Sequence, residues 1–138
     1  MRGGGGGEPG FGVVPHQFRA EVKVLGAAGI GDWWALAQVG DGPLRQLAAG
    51  GQASEARLQR LRAQARLMGD LQLRPEEASL LLHAGIPGAA ALGGADPQRL
   101  LNQVHRLQRR LTGPAVPLLA MATLRLWISR AQASRPRN

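Results

Sequence analysis

Cysteine and tyrosine are absent from this chain. Without cysteine there are no disulfides, no thiolate zinc ligands and no thiol catalysis. Lysine is nearly absent as well: Lys23 is the only one, and the other 16 of the 17 basic residues are arginine. Aromatics are limited to two Phe and three Trp. Acidic residues number 9, which leaves a net charge of +8, and none of them follows Asp96. Long apolar runs are missing too. The nearest, Ala78 to Ala95, is broken by His83, Pro87 and Gly93-Gly94, and a membrane span needs about 20 predominantly apolar residues. The N-terminus lacks the charged start, apolar stretch and cleavage site of a signal peptide. No segment alternates with a period of two, so no sheet is expected. These absences predict a small, basic, all-α protein that is cytoplasmic and has no membrane anchor.

What remains reads as short helices punctuated by glycine and proline. Met1 to Gly12 is glycine-rich and is predicted to be a disordered leader. Phe18, Val22 and Leu25 recur at helical spacing, and that helix ends at Ala28-Gly29. Asp32 is placed to cap a helix carrying Trp33, Leu36 and Ala37. Asp41-Gly42-Pro43 reads as a turn before Leu44 and Leu47. Ser54 opens the clearest helix, whose apolar stripe is Leu58, Leu61, Ala65 and Met68. Pro75 suits a first helical position, with Glu76 and Glu77 at the positive end and Ala78, Leu81 and Leu82 facing the core. Asp96-Pro97 is a second strong start, followed by Leu100, Leu101, Val104, Leu107 and Leu111 on one side. After Pro117 a last helix carries Leu124, Trp127, Ile128 and Ala131. The expected core contains Leu25, Ile30, Leu36, Leu58, Leu61, Leu81, Ile86, Leu92, Leu100, Leu107 and Ile128.

Two segments match at a constant offset of 56 residues. Glu21 corresponds to Glu77, Leu25 to Leu81, Ala28-Gly29-Ile30 to Ala84-Gly85-Ile86, Ala35-Leu36 to Ala91-Leu92, and Leu44 to Leu100. Each copy reads as helix, Ala-Gly-Ile turn, short helix, turn and longer Leu-rich helix. Copies this short bury little core alone and are expected to pack together as one compact domain over 13–131. The repeats run over about 15–68 and 71–112, the C-terminal helix over about 117–131, and a basic tail over 132–138.

The order of these pieces resembles a family. The residues that carry the likeness are Ala28-Gly29-Ile30 with Trp33 and Leu36, Ala65-Arg66-Leu67-Met68, Pro75-Glu76-Glu77-Ala78, His83-Ala84-Gly85-Ile86, Asp96-Pro97 with Leu100, and Val116-Pro117 with Trp127-Ile128. Together they are similar to the uncharacterised bacterial tandem helix-hairpin-helix proteins, often cyanobacterial, that are classed as a domain of unknown function. The resemblance covers about Val14 to Ala131. It implies a tandem helix-hairpin-helix fold and no assigned reaction. Such modules at large bind DNA backbones without sequence preference or serve in protein interactions. Relatives carry a Gly-Ile-Gly-Pro-like turn before the second repeat. Here that place is Asp70-Leu71-Gln72-Leu73-Arg74-Pro75, without glycine, so the phosphate-binding hairpin is degraded. Before the first repeat only Gly10-Phe11-Gly12-Val13-Val14-Pro15 hints at it.

The candidate binding residues are therefore arginines: Arg99, Arg106, Arg109, Arg110, Arg125 and Arg130. Arg99, Arg106 and Arg110 lie within about 40° on a helical wheel, with Gln103 joining that face. Such a stripe suits the phosphates of DNA or RNA. The competing reading is a solvated face in an arginine-biased sequence. Trp33 and Trp34 point about 100° apart on a helix, so Trp33 is expected inside and Trp34 outside, as a candidate interface for a protein partner. His16, His83 and His105 show no metal-ligand spacing. The serines lack a nucleophile-elbow context and no P-loop follows a strand. No catalytic residue, metal or cofactor is expected, and nothing in the sequence sets an oligomeric state.

Overall fold

The computed structural model describes residues 10–12, 14–113 and 117–134. Met1–Pro9 of the expected leader and Arg135–Asn138 of the expected tail lie outside them. Among the described residues there are eight α-helices: α1 (Arg19–Ala27), α2 (Trp33–Ala37), α3 (Asp41–Ala49), α4 (Glu55–Leu71), α5 (Pro75–His83), α6 (Ala89–Gly93), α7 (Pro97–Thr112) and α8 (Met121–Ala133), with a 3-10 turn at His16–Phe18. The fold is all-α, as the periodicity predicts. The chain divides into two compact units, the first through Ala65 and the second from Arg66.

In the first unit α1 buries Val22 and Leu25, α2 buries Trp33, Leu36 and Ala37, and α4 buries Leu58, Leu61 and Ala65. The Asp32 side chain accepts the Ala35 N–H at 2.7 Å, the cap the sequence predicts for α2. Ser54 caps α4 by accepting the Arg57 N–H. The Ser54 N–H in turn donates to Oε2 of Glu21, a buried carboxylate on α1, at 2.9 Å. Arg62 of α4 donates to the Val39 carbonyl and pairs with Asp41 at 2.6 Å. Asp41-Gly42-Pro43 is not a free-standing turn but the first turn of α3. Proline is compatible with that position because first-turn N–H groups have no intrahelical acceptor.

The glycine-rich segment does not stay free of the fold through Gly12. Phe11 is 2% exposed, its ring meets Trp33 edge-on at 5.0 Å between centroids, and the Trp33 indole N–H donates to the Phe11 carbonyl at 3.2 Å. One large aromatic outweighs the flexibility of its glycine neighbours, since burying it contributes about 1.5–3 kcal/mol. Ile30 is half-buried, so it lies less deep than the core reading places it.

The second unit is built on a cluster of Leu67, Leu71, Leu81, Leu92, Leu100, Val104, Leu124, Trp127 and Ile128 with their buried neighbours. Helices α6 and α8 approach closely, and Gln132 donates to the Gly93 carbonyl at 3.1 Å across their contact. The last helix continues two residues past the expected end, to Ala133. Both Ala-Gly-Ile turns have one geometry. Gly29 and Gly85 take φ of 84° and 87°, and the Ile30 and Ile86 N–H groups bond back to the Leu25 and Leu81 carbonyls. That is a Schellman cap, which favours glycine at the left-handed residue.

The same cap ends α4 without glycine: Gln72 sits at φ 57° and the Leu73 N–H donates to the Met68 carbonyl at 3.0 Å. A left-handed conformation costs a residue with a Cβ about 1–2 kcal/mol. Part of that is offset by the greater chain entropy that glycine loses on folding. Gln72→Gly is therefore expected to stabilise the protein by about 0.5–1 kcal/mol, read as an upward shift of the urea midpoint at unchanged slope. A downward shift would mean that the Gln72 side chain contributes more than its backbone costs.

Candidate nucleic-acid interface

Helix α7 presents the arginines because its opposite side is committed to the core. Asp96 accepts the Arg99 N–H at 2.9 Å and Pro97 occupies the first turn, so the helix starts where the sequence places it. Leu100, Leu101, Val104 and Leu107 are buried. Arg99, Arg106, Arg109 and Arg110 are exposed as a result. At a rise of about 1.5 Å per residue, Arg99 and Arg106 stand about 10 Å apart along the axis and Arg106 and Arg110 about 6 Å apart. Arg125 is exposed on α8.

Arg130, expected on the binding surface, is half-buried and donates to the Leu71 carbonyl at 3.0 Å. The last carbonyls of α4 have no intrahelical donors and carry partial negative charge, which draws in a cation. Gln103, expected on the same face as Arg99, Arg106 and Arg110, is half-buried, and its amide donates to the Ala84 carbonyl at 2.9 Å. Leu111 lies on the apolar stripe but is 60% exposed, since α7 outruns the core at its C-terminal end.

Two polar residues of α7, His105 and Gln108, hold the segment that leads into α8. His105 Nε2 donates to the Leu119 carbonyl at 2.7 Å, and Gln108 Oε1 accepts the Leu119 N–H at 2.9 Å. Their i, i+3 spacing, which brings helix neighbours to one side, is the sequence signal for this joint action.

Glu77 reaches back to accept the Arg74 N–H at 2.8 Å and an Arg74 guanidinium N–H at 3.1 Å. Burial pushes the Glu77 carboxyl up, but the Arg74 hydrogen bonds and the positive charges of Arg74 and Arg130 outweigh it and hold the group below its ordinary value of 4.5. A carboxyl held low in the folded state contributes stability that is present above the unfolded pKa and lost as pH falls through the folded one. Acidification below 4.5 should therefore weaken the second unit, and Glu77→Gln should flatten that part of a pH–stability profile. An unchanged profile would remove Glu77 from the acid response.

Trp34 is 73% exposed while its neighbour Trp33 is 8% exposed, the division that their angular separation predicts. Trp127 is buried in the second unit. His83 donates to the Ser79 carbonyl within its own helix. Among the described residues no three His, Asp or Glu side chains gather as metal ligands, and no helix is long and apolar enough to cross a membrane.

The described residues define an all-helical fold with an arginine-bearing helix. The model of the family described as Domain of unknown function (DUF4332) matches residues 15–134, and the chain belongs to that family. No curated protein and no solved structure matches it.

Proposed function

We propose that this is a non-catalytic, cytoplasmic binding protein of two helix-hairpin-helix-like repeats that associates weakly, and without sequence preference, with the backbone of DNA or RNA. The observation that carries the reading is the α7 face: Arg99, Arg106, Arg109 and Arg110 are exposed on a capped helix, in a stretch of sequence with no acid after Asp96. Arg125 on α8 is exposed as well and adds to the positive charge of the second unit. The matching Ala-Gly-Ile caps support the repeat, and Gln72 keeps the left-handed backbone at the place where relatives carry a glycine. Phosphates would be contacted and bases left unread, because the second unit's one aromatic, Trp127, is buried.

The test is a mobility-shift titration with DNA and with RNA over a salt series. The logarithm of the binding constant should fall linearly with the logarithm of salt, by about 0.7–0.9 per phosphate contact. No binding to either at low salt would reject the reading. A second reading, a protein-interaction adapter, is favoured by Trp34, whose 73% exposure is unusual for a tryptophan. Capture of one protein that resists salt and is lost on Trp34→Ala would favour it.

A further inference from the structure

The first unit holds its own Gly10-Phe11 segment in the way that a recognition module holds a peptide. Gly10 forms a parallel bridge with Asp32, whose backbone is extended at φ −152° and ψ 172°. The Asp32 side chain is tied to the Ala35 N–H, which fixes that short edge. A Cβ on Gly10 would overlap the Gly31 carbonyl oxygen and the Asp32 backbone. The next residue, Phe11, is buried against the edge of Trp33, and its carbonyl takes the indole N–H at 3.2 Å. The seat thus distinguishes three things in order: a residue with no side chain, an aromatic ring, and the carbonyl that follows the ring. Main-chain pairing with a pocket for one side chain is how extended peptides are recognised at exposed edges. Gly12, at φ 63° with open space around it, gives the segment a hinge on its far side.

We propose that the Gly31-Asp32-Trp33 seat is a binding site for an extended glycine–aromatic peptide segment, filled in cis by Gly10-Phe11 and open to the same dipeptide in trans when that segment leaves. Affinity in trans is weak, because one ring and one side-chain hydrogen bond carry it. The cis segment holds the seat by its effective concentration, in the millimolar range for a short flexible tether.

The test uses the full-length ¹⁵N-labelled protein and follows the indole N–H resonances. In Phe11→Ala the Trp33 signal should move and lose protection, while that of Trp127 in the second unit stays. Capped Pro-Gly-Phe-Gly, the sequence of residues 9–12, should return the Trp33 signal saturably at millimolar concentration. Capped Pro-Ala-Phe-Gly should act at least about tenfold more weakly, because its methyl group meets the Gly31 carbonyl. In the unmutated protein, hydrogen exchange at the Trp33 indole should exceed that at the Leu58 amide by at least about tenfold, since the segment opens more often than the core. Equal action of the two peptides, or no action on a folded variant, overturns the proposal. So does equal protection of Trp33 and Leu58. Loss of the dispersed Leu25 and Leu58 amide signals in Phe11→Ala also overturns it, because a seat that collapses when empty receives nothing in trans.

Discussion

Leu61→Ala is expected to destabilise the protein by about 2–5 kcal/mol. Leu61 is 0% exposed on α4, in line with Leu58 and Ala65. Truncation removes its transfer free energy and leaves a cavity that the surrounding helices fill only in part, and both effects act in the same direction. For a domain of 60–100 residues each kcal/mol lowers the melting temperature by about 4–8 °C, so the change is readable by calorimetry or circular dichroism. Leu111→Ala is the matched comparison. It too removes a leucine from the apolar stripe of a long helix, but from a side chain already in water, and the expected change is within about 0.5 kcal/mol. The difference between the two isolates burial from helix propensity, since the substitution is the same. Similar losses at both positions would mean that Leu111 is covered in solution.

That pair also shows what periodicity can and cannot say. The helical stripe of α7 is legible through Leu111 because spacing records which side of a helix is apolar. Spacing does not record where the neighbouring helices stop, and exposure depends on that. Sequence signals are most legible where the chemistry is local. Asp32, Ser54 and Asp96 each accept an N–H three residues ahead, and Gly29 and Gly85 take the left-handed caps. The Asp41-Gly42-Pro43 segment misleads because the residues that break a helix interior are the same ones that tolerate its first turn.

Long-range partners are the other gap. Arg130 and Arg125 look alike in an acid-free sequence, yet Arg130 is spent on the Leu71 carbonyl, 59 residues away. Phe11 is hidden within a glycine-rich composition, and what separates it from a free leader is its distant contact with Trp33, through both the ring and the indole N–H. The exposed arginines of α7 are legible, by contrast, because a strong cap and a clear stripe on one helix fix its other face without reference to anything distant.

Reversing Arg106 and Arg110 together to Glu is expected to reduce nucleic-acid binding about a hundredfold or more at low salt. Both side chains are exposed on the face opposite Leu101 and Val104, so helicity and core packing should be unchanged. The reversal removes two contacts and places two repulsive charges beside Arg99 and Arg109. Losing two phosphate contacts should also shrink the salt slope by about 1.4–1.8 units. Arg130→Gln serves as the control with the opposite signature. It gives up the bond to Leu71, so stability should fall while nucleic-acid affinity and salt slope stay as they were. If the Glu pair leaves binding intact, the contact lies elsewhere on the chain. If Arg130→Gln weakens binding as much as the Glu pair does, charge in general is responsible rather than the α7 face.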